Sequence, residues 1–228
     1  HLIIADKPEL EAHYQLYKTF LDNKDKYDLL LKVDADMVLI SDRFFEGVVT
    51  WFEEDSDLEV LTVGALDFLS GQMINAGNQA YRNSVHWNFE KDTLYPDVPD
   101  LGTGHYIHDT VRFAPAAYHS PNPSIPQAFH FGVHRGLKSI QRKHSTTHWG
   151  LLEHVWQNFL RTEDRRMGIA ILGAELVYAG KLGRAEHNYT NPSLDARVRD
   201  LENLDANQIK REVQKLRFYH WGYLPTDW

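Results

Sequence analysis

The sequence predicts an α/β fold, built on a mostly parallel sheet with helices on both faces. Short apolar segments of strand length alternate with longer segments of helical periodicity. The first strand, helix and second strand fit within about 33 residues, the size of a βαβ unit. A chain of 228 residues with 43% hydrophobic and 25% charged residues is typical of one α/β domain.

The first predicted βαβ unit occupies the start of the chain. Residues 1–6 are expected to form a short buried strand that ends at Asp6, and Pro8 to open a helix, because proline is tolerated in the first helical turn. One face of this helix is apolar at helical spacing, through Leu10, Tyr14, Tyr17 and Leu21. Residues 29–33 form the next strand, and the crossover implies parallel pairing.

The next elements are a helix, a strand and a long segment without clear periodicity. Residues 41–53 predict a helix with Ser41 as its cap and an apolar face of Phe44, Phe45, Val48, Val49 and Phe52. Residues 58–66 predict a third buried strand. Residues 70–126 are interpreted as an irregular insertion over the sheet, with a weak hairpin at 74–87. Such long segments often form functional lids or binding loops.

The rest of the chain returns to regular patterns. The alternation of Phe129, Phe131 and Val133 predicts a strand at 127–135. Further elements are expected as helices at 148–161 and 164–179, an extended segment at 183–189, a charged amphipathic helix at 194–217 and an aromatic tail beyond it.

These elements predict a single domain over residues 1–228. Its expected parts are a nucleotide-binding half at 1–67, an acceptor half at 68–190 and a C-terminal helical and aromatic extension at 191–228. Because the chain opens directly on an apolar stretch at His1, we expect an upstream segment and a longer parent chain.

Composition narrows the possible partners. The net charge of −8 argues against a nucleic-acid surface, which needs clustered Lys and Arg. No apolar run approaches the roughly 20 residues that cross a bilayer. Without cysteine, a metal would be bound by carboxylates and by some of the 13 histidines. We expect a cytoplasmic protein, with peripheral association at the inner face of the membrane as a further option.

Two aspartates end the apolar strand at 29–33. Asp34 and Asp36 would lie on the same side of an extended backbone, where ligands bind in open α/β sheets. Two adjacent carboxylates repel each other unless a cation or donors compensate them, and Mg²⁺ or Mn²⁺ with a diphosphate would do so. Alternatively, Asp34 caps the next segment and Asp36 pairs with Arg43. Lys32 faces the phosphates or is a surface lysine.

The spacing of the two aspartates carries little information by itself. The same pattern recurs at Asp55 and Asp57, inside the polar run EEDSD, where a solvated turn is expected. The buried strand that precedes Asp34 and Asp36 distinguishes them from this second pair.

The stretch YDLLLKVDADMVL at 27–39 resembles the acidic-motif strand of nucleotide-sugar-dependent glycosyltransferases of the GT-A fold, especially bacterial inverting enzymes of family 2. The resemblance extends over residues 1–67 and more loosely over 127–190. It implies a GT-A-like fold without its first strand and helix. It also implies that Asp34 and Asp36 hold Mn²⁺ or Mg²⁺ on the diphosphate of a nucleotide sugar, and that Asp6 contacts the base or ribose.

The resemblance also suggests a catalytic base. In the family this is often the Asp of a Glu-Asp pair that opens a helix, and TEDRRMGIAILGAEL offers Glu163 and Asp164. Ala170 stands where the family usually has an arginine. Asp164 could instead simply cap the helix. Glu153, in the preceding helix, is the second candidate.

Other candidates are histidines and aromatic residues. In some enzymes of the GT-A fold a late histidine adds a metal ligand, which suggests His187, with His220 as its competitor. His130 and His134 would share one face of a strand beside the acceptor, near Arg135, or simply pack at the sheet. Core packing and stacking on sugar rings are both open for the aromatic residues Trp87, Tyr106, Trp149 and Trp221.

We therefore expect metal-dependent sugar transfer from a nucleotide-sugar donor to a hydroxyl of a glycan or lipid-linked glycan. One alternative is a sugar-phosphate nucleotidyltransferase, which normally carries a glycine-rich phosphate loop that this sequence does not show. A second is a non-catalytic glycan-binding domain of the same descent. A third is a metal-dependent phosphoesterase that uses the histidines.

Overall fold

The computed structural model describes residues 1–75, 77–89, 99–109, 115–140, 145–182 and 192–216. The contacts of the chain divide it into two compact units. The first contains His1–Phe68 and Met73–Pro121, and the second contains Leu69–Gln72 and the described part of Asn122–Trp228. Strands with two helices build the first unit, and helices build the second, so the predicted α/β class is confirmed.

The first unit contains two four-stranded sheets. Its strands are β1 (Leu29–Val33), β2 (Met37–Leu39), β3 (Leu58–Val63), β4 (Ala65–Asp67), β5 (Met73–Ile74), β6 (Asn78–Arg82), β7 (His105–Asp109) and β8 (Ala117–His119). The strand order is β1-β6-β3-β7 in one sheet and β2-β8-β4-β5 in the other. The chain passes from the first sheet to the second three times, between β1 and β2, between β3 and β4, and between β7 and β8.

Helices cover both faces of the first sheet, as predicted. On one face α1 (Glu9–Leu21) buries Tyr17 and Phe20 against Val60, Tyr81 and Trp87. On the other face α2 (Phe44–Glu54) buries two side chains against the sheet, Val48 and Phe52. The residues predicted for the α2 face are only partly correct, because Phe45 and Val49 are exposed.

The prediction of a mostly parallel sheet is wrong. Only β3–β7 and β4–β8 are parallel among the pairings of the described strands. The prediction assumed that residues 1–6 pair with β1, but residues 1–5 form no strand, and Leu2 and Ile3 are exposed. Instead, β6 pairs antiparallel with β1, which lies at the sheet edge. Apolar composition indicated burial there, but a strand also needs a pairing partner.

The interpretation of residues 70–126 as an irregular insertion is also wrong in its main part. This segment supplies β5, β6, β7 and β8, and β6 lies between β1 and β3. The predicted hairpin does not form, because β5 pairs with β4 and β6 pairs with the other sheet. These strands are short and draw their stability from neighbours distant in sequence, which a local pattern does not reveal.

The second unit is helical where it is described. Its helices are α3 (Ile125–Ile140), α4 (Ser145–Thr162), α5 (Arg165–Tyr178), α6 (Asp195–Glu202) and α7 (Ala206–Gln214). The helices predicted at 148–161 and 164–179 are confirmed as α4 and α5. None of the described helices combines the length and the apolar character that a membrane span requires.

The strand predicted at 127–135 is wrong, because these residues lie in α3. The buried residues of α3 recur every three to four positions and do not alternate. They include Ala128, Phe129, Gly132, Val133, Gly136 and Leu137. The nine-residue stretch that suggested a strand was too short to separate the two periods.

The single helix predicted at 194–217 is two helices. Asp205 begins α7 with a capping box, in which its side chain accepts from the Gln208 N–H and the Gln208 side chain accepts from the Asp205 N–H. These reciprocal bonds stabilise a new helix start and interrupt the amphipathic pattern. The segment predicted as extended at 183–189 and the aromatic tail at 217–228 lie outside the described residues.

Candidate functional site

The predicted acidic pair lies in the tight turn that joins β1 to β2. The Asp34 N–H donates to the Gly77 carbonyl at 2.9 Å, and the Met37 N–H donates to the Asp34 carbonyl at 3.1 Å. Gly77 has a φ of 79°, and a Cβ there would approach the Met37 Cε to 2.0 Å. The turn thus depends on the glycine that directly precedes β6, and it carries Asp34 and Asp36 where the chain passes from one sheet to the other.

Lys32 lies on β1, two residues before Asp34 in the acidic turn. Its side chain is only 5% exposed, and Nζ lies 2.7 Å from Asp34 Oδ1. The alternative of a surface lysine is therefore wrong. A buried ammonium is costly without an anionic partner. The carboxylate of Asp34 is that partner, and the side chain of Asp34 is itself 42% exposed. Lys32 thus places a positive charge beneath the acidic turn.

Asp36 is held by residues of β8 and the turn that follows. The Ser120 hydroxyl donates to Asp36 Oδ2 at 2.5 Å, and the Ser120 N–H donates to the Asp36 carbonyl at 2.8 Å. His119 Nε2 lies 3.4 Å from the same Oδ2 atom. The alternative pairing of Asp36 with Arg43 does not form, because the Arg43 guanidinium contacts Glu46. Ser120 has a φ of 44°, a strained backbone conformation of the kind that clusters at functional sites.

Asp67 completes this edge of the second sheet. Its side chain is fully buried, and Oδ1 accepts a 2.6 Å hydrogen bond from His119 Nδ1. Asp67 and His119 are register partners at the ends of the parallel strands β4 and β8. His119 was missed in the sequence because it lies in the segment interpreted as irregular. Asp67 directly follows the strand predicted at 58–66, as Asp34 follows the strand predicted at 29–33, and this shared position could have indicated it.

The donor set of this edge fits a divalent cation. Both carboxylates of the turn reach the surface, and the side chain of Asp36 is 32% exposed. Within the described residues, no group of three or more His, Asp and Glu side chains is arranged to hold a metal. A cation bound to Asp34 and Asp36 would take its other ligands from phosphate oxygens and water, as Mg²⁺ usually does.

The other predicted ligands and contacts lie on separate elements. Asp6 is exposed and lies before α1 with a φ of 55°. Glu153 is exposed on α4. His187, His220 and Trp221 lie outside the described residues. Asp34 and Asp36 are the predicted site residues that the structure shows within one turn.

Asp164 has a clear local role as the N-cap of α5. Its Oδ1 accepts from the Arg166 N–H at 2.9 Å, and its Oδ2 accepts from the Arg166 guanidinium at 2.7 Å. Hydrogen bonding to Arg166 lowers the pKa of Asp164 below its usual range. A lowered pKa makes a carboxylate a weaker general base. The structure shows Asp164 as the N-cap of α5, and catalysis by Asp164 stays a prediction.

Asp164→Asn should separate the two roles. The folded-state pKa of Asp164 is lowered, so its stabilisation is present above the unfolded pKa, about 3.9. That stabilisation is lost as the pH falls through the lower folded pKa. We expect the variant to be about 1 kcal/mol less stable near pH 7, and the difference to vanish in acid. Denaturant unfolding at several pH values measures this.

The same variant also tests catalysis. A general base contributes typically about 10²- to 10⁴-fold, so its loss would reduce turnover by that factor at unchanged fold. Unchanged turnover would leave Asp164 with a structural role alone. A gap in stability that persists below pH 2 would contradict the ion-pair explanation.

His130 and His134 lie four residues apart on α3, not on a strand. Burial lowers the pKa of His130, and the charge of Asp195 opposes this shift. The Nε2 atom of His130 is buried without a hydrogen-bond partner. An imidazole held in its neutral form suits core packing.

The aromatic candidates that the structure describes contact other side chains of the protein. Trp87 is buried and stacks on Tyr17 with a centroid distance of 4.2 Å. The Tyr106 hydroxyl bonds Thr62 at 2.7 Å, and Trp149 meets Tyr178 edge to face. Trp87 is therefore no candidate for stacking on a sugar.

Comparisons with family models, curated proteins and solved structures find no significant match to this chain. The functional interpretation therefore depends on the geometry of the acidic turn and on the resemblance of residues 27–39.

Proposed function

We propose that this chain is a metal-dependent glycosyltransferase that uses a nucleotide-sugar donor. The observation that carries the proposal is the acidic turn of Asp34 and Asp36, which follows a buried strand and has the buried Lys32 beneath it. A diphosphate needs cationic partners at short range, and a divalent cation on two carboxylates beside an ammonium would provide them.

In this proposal the residues of the turn bind and orient the donor. Asp34 and Asp36 would hold Mn²⁺ or Mg²⁺, which would offset the negative charge on the departing nucleoside diphosphate. Lys32 stabilises the carboxylate of Asp34 and raises the local positive potential. Ser120 fixes the orientation of Asp36 through two hydrogen bonds. Asp6 as a contact to the nucleoside stays a prediction.

The acceptor half of the reaction is a proposal from the resemblance. A carboxylate must take the proton of the acceptor hydroxyl, and Asp164 and Glu153 are the candidates. The acceptor would be a glycan or a lipid-linked glycan, and the site of action the cytoplasm or the inner face of the membrane. His187 stays a predicted additional metal ligand.

A second candidate function is a domain that binds a nucleotide sugar or glycan without catalysis. The observation that favours it is the engagement of Asp164, whose carboxylate is held by the backbone and side chain of Arg166. Such a protein would bind its ligand and release no product.

One experiment distinguishes these functions. The protein is incubated with UDP-, GDP- and TDP-sugars, with and without Mn²⁺, and release of nucleoside diphosphate is measured together with donor binding. We expect metal-dependent release for at least one donor. Binding without release would favour the non-catalytic domain. A donor panel with neither binding nor release would contradict the transferase proposal.

A further inference from the structure

His119 has different partners at its two ring nitrogens. Nδ1 lies 2.6 Å from Oδ1 of Asp67, whose side chain is fully buried. Nε2 lies 3.4 Å from Oδ2 of Asp36, whose side chain is partly exposed. One nitrogen therefore faces the interior of the first unit, and the other faces the acidic turn.

The contact with Asp67 orients the imidazole. A buried carboxylate accepts a hydrogen bond from Nδ1–H, and this bond holds the ring with Nε2 directed to Asp36. The parallel register of β4 and β8 places Asp67 and His119 at the same sheet edge, and the Phe68 N–H donates to the His119 carbonyl at 3.2 Å. Metal-binding histidines commonly use this carboxylate–imidazole arrangement.

We propose that His119 Nε2 and the carboxylate of Asp36 bind the same divalent cation, with Asp67 as a positioning residue. The inference rests on the proposed function, because it adds a ligand to the metal of the acidic turn. Two ligand atoms about 2.1 Å from one ion and at right angles to each other are about 3 Å apart, close to the observed 3.4 Å.

The ligand types predict which cation is preferred. Mg²⁺ favours an all-oxygen shell, whereas an imidazole nitrogen suits transition metals. A site made of His119, Asp36 and phosphate oxygens should therefore bind Mn²⁺ more tightly than Mg²⁺. The competing explanation is structural, with the ring bridging two carboxylates and linking β8 to its neighbours.

The chain offers a matched control at its surface. His105 Nε2 lies 3.0 Å from Asp55 Oδ2, and the His105 side chain is 47% exposed. This pair has the same residue types and a shorter separation. His105 begins β7, which lies at the opposite edge of the first sheet from β1, the strand that leads into the acidic turn.

The test measures nitrogen coordination directly. Mn²⁺ is bound to the whole chain, alone and with UDP, GDP or TDP, and ¹⁴N coupling is read by electron spin echo envelope modulation. Isothermal titration gives the Mn²⁺ affinity. We expect ¹⁴N coupling in the unaltered protein and in His105→Gln, and its loss in His119→Gln. Affinity should fall about 10- to 100-fold in Asp67→Asn, the usual cost of losing the group that orients a metal-binding histidine, and at least as much in His119→Gln.

Each other outcome has a defined meaning. Bound Mn²⁺ without ¹⁴N coupling in the unaltered protein overturns the inference without any variant, so misfolding of a variant does not obscure the result. Coupling that persists in His119→Gln also overturns it. If ¹⁴N coupling is observed without nucleotide-sugar turnover, the inference is supported and the transferase proposal is contradicted. If turnover is observed without ¹⁴N coupling, the transferase proposal is supported and the inference is contradicted. No Mn²⁺ binding with any nucleotide overturns the inference.

Discussion

Asp36→Ala should lower metal-dependent release of nucleoside diphosphate about 10³-fold, or about 4 kcal/mol in transition-state free energy. The carboxylate of Asp36 is partly exposed and accepts a hydrogen bond from the Ser120 hydroxyl, while the Ser120 N–H donates to the Asp36 carbonyl. Removing it takes away a proposed ligand of the cation that offsets the diphosphate charge. The measurement is kcat/KM for the active donor across a Mn²⁺ titration.

Asp57→Ala is the matched control for this substitution. Asp55 and Asp57 repeat the spacing of the acidic pair on the turn that connects α2 to β3, and Asp57 is exposed. We expect Asp57→Ala to leave turnover unchanged. The free energy of unfolding of Asp36→Ala should be lower than that of the parent by only about 1 kcal/mol, the value of one lost hydrogen bond. Full activity in Asp36→Ala would make the metal assignment wrong even if the enzyme class were right.

The sequence predicted those elements of the fold that carry a strong local signal. Residues 29–33 form β1 within the predicted bounds, and α1, α4 and α5 lie where helical periodicity placed them. Sheet order was not predictable, because β6 inserts between β1 and β3 by contacts between segments distant in sequence. The segment 127–135 shows a second limit, since aromatic alternation over a few residues also fits a helix.

The site followed the same division. Asp34 and Asp36 could be predicted because they interrupt an apolar strand. Lys32 could be named but not placed, since burial of its ammonium depends on the sheet around it. His119 could not be predicted, because only the pairing of β8 with β2 and β4 brings it beside Asp36 and Asp67.

Gly132→Ala should destabilise the protein by about 3 kcal/mol, through the close packing of α3 against α5. A Cβ at Gly132 would lie 1.8 Å from the carbonyl oxygen of Ala170, and a Cβ at Gly173 would lie 2.3 Å from that of Phe129. The two helices thus approach each other backbone to backbone at two positions. Overpacking a tight contact costs about 1–3 kcal/mol, occasionally more, and here the obstacle is main chain that cannot rotate away.

Gly150→Ala is the matched control, because the two glycine-to-alanine substitutions should change the stability in opposite directions. Gly150 lies inside α4, and a Cβ there meets no atom within 4 Å. Alanine is favoured over glycine in a helix interior by about 0.5–1 kcal/mol, so this variant should be more stable than the parent. Thermal unfolding should show a fall of about 6–12 °C for Gly132→Ala and a small rise for Gly150→Ala. If both variants gained stability, α3 and α5 would not pack as closely as the structure shows. If both lost it, helix propensity would not govern the stability at Gly150, where a Cβ meets no neighbouring atom.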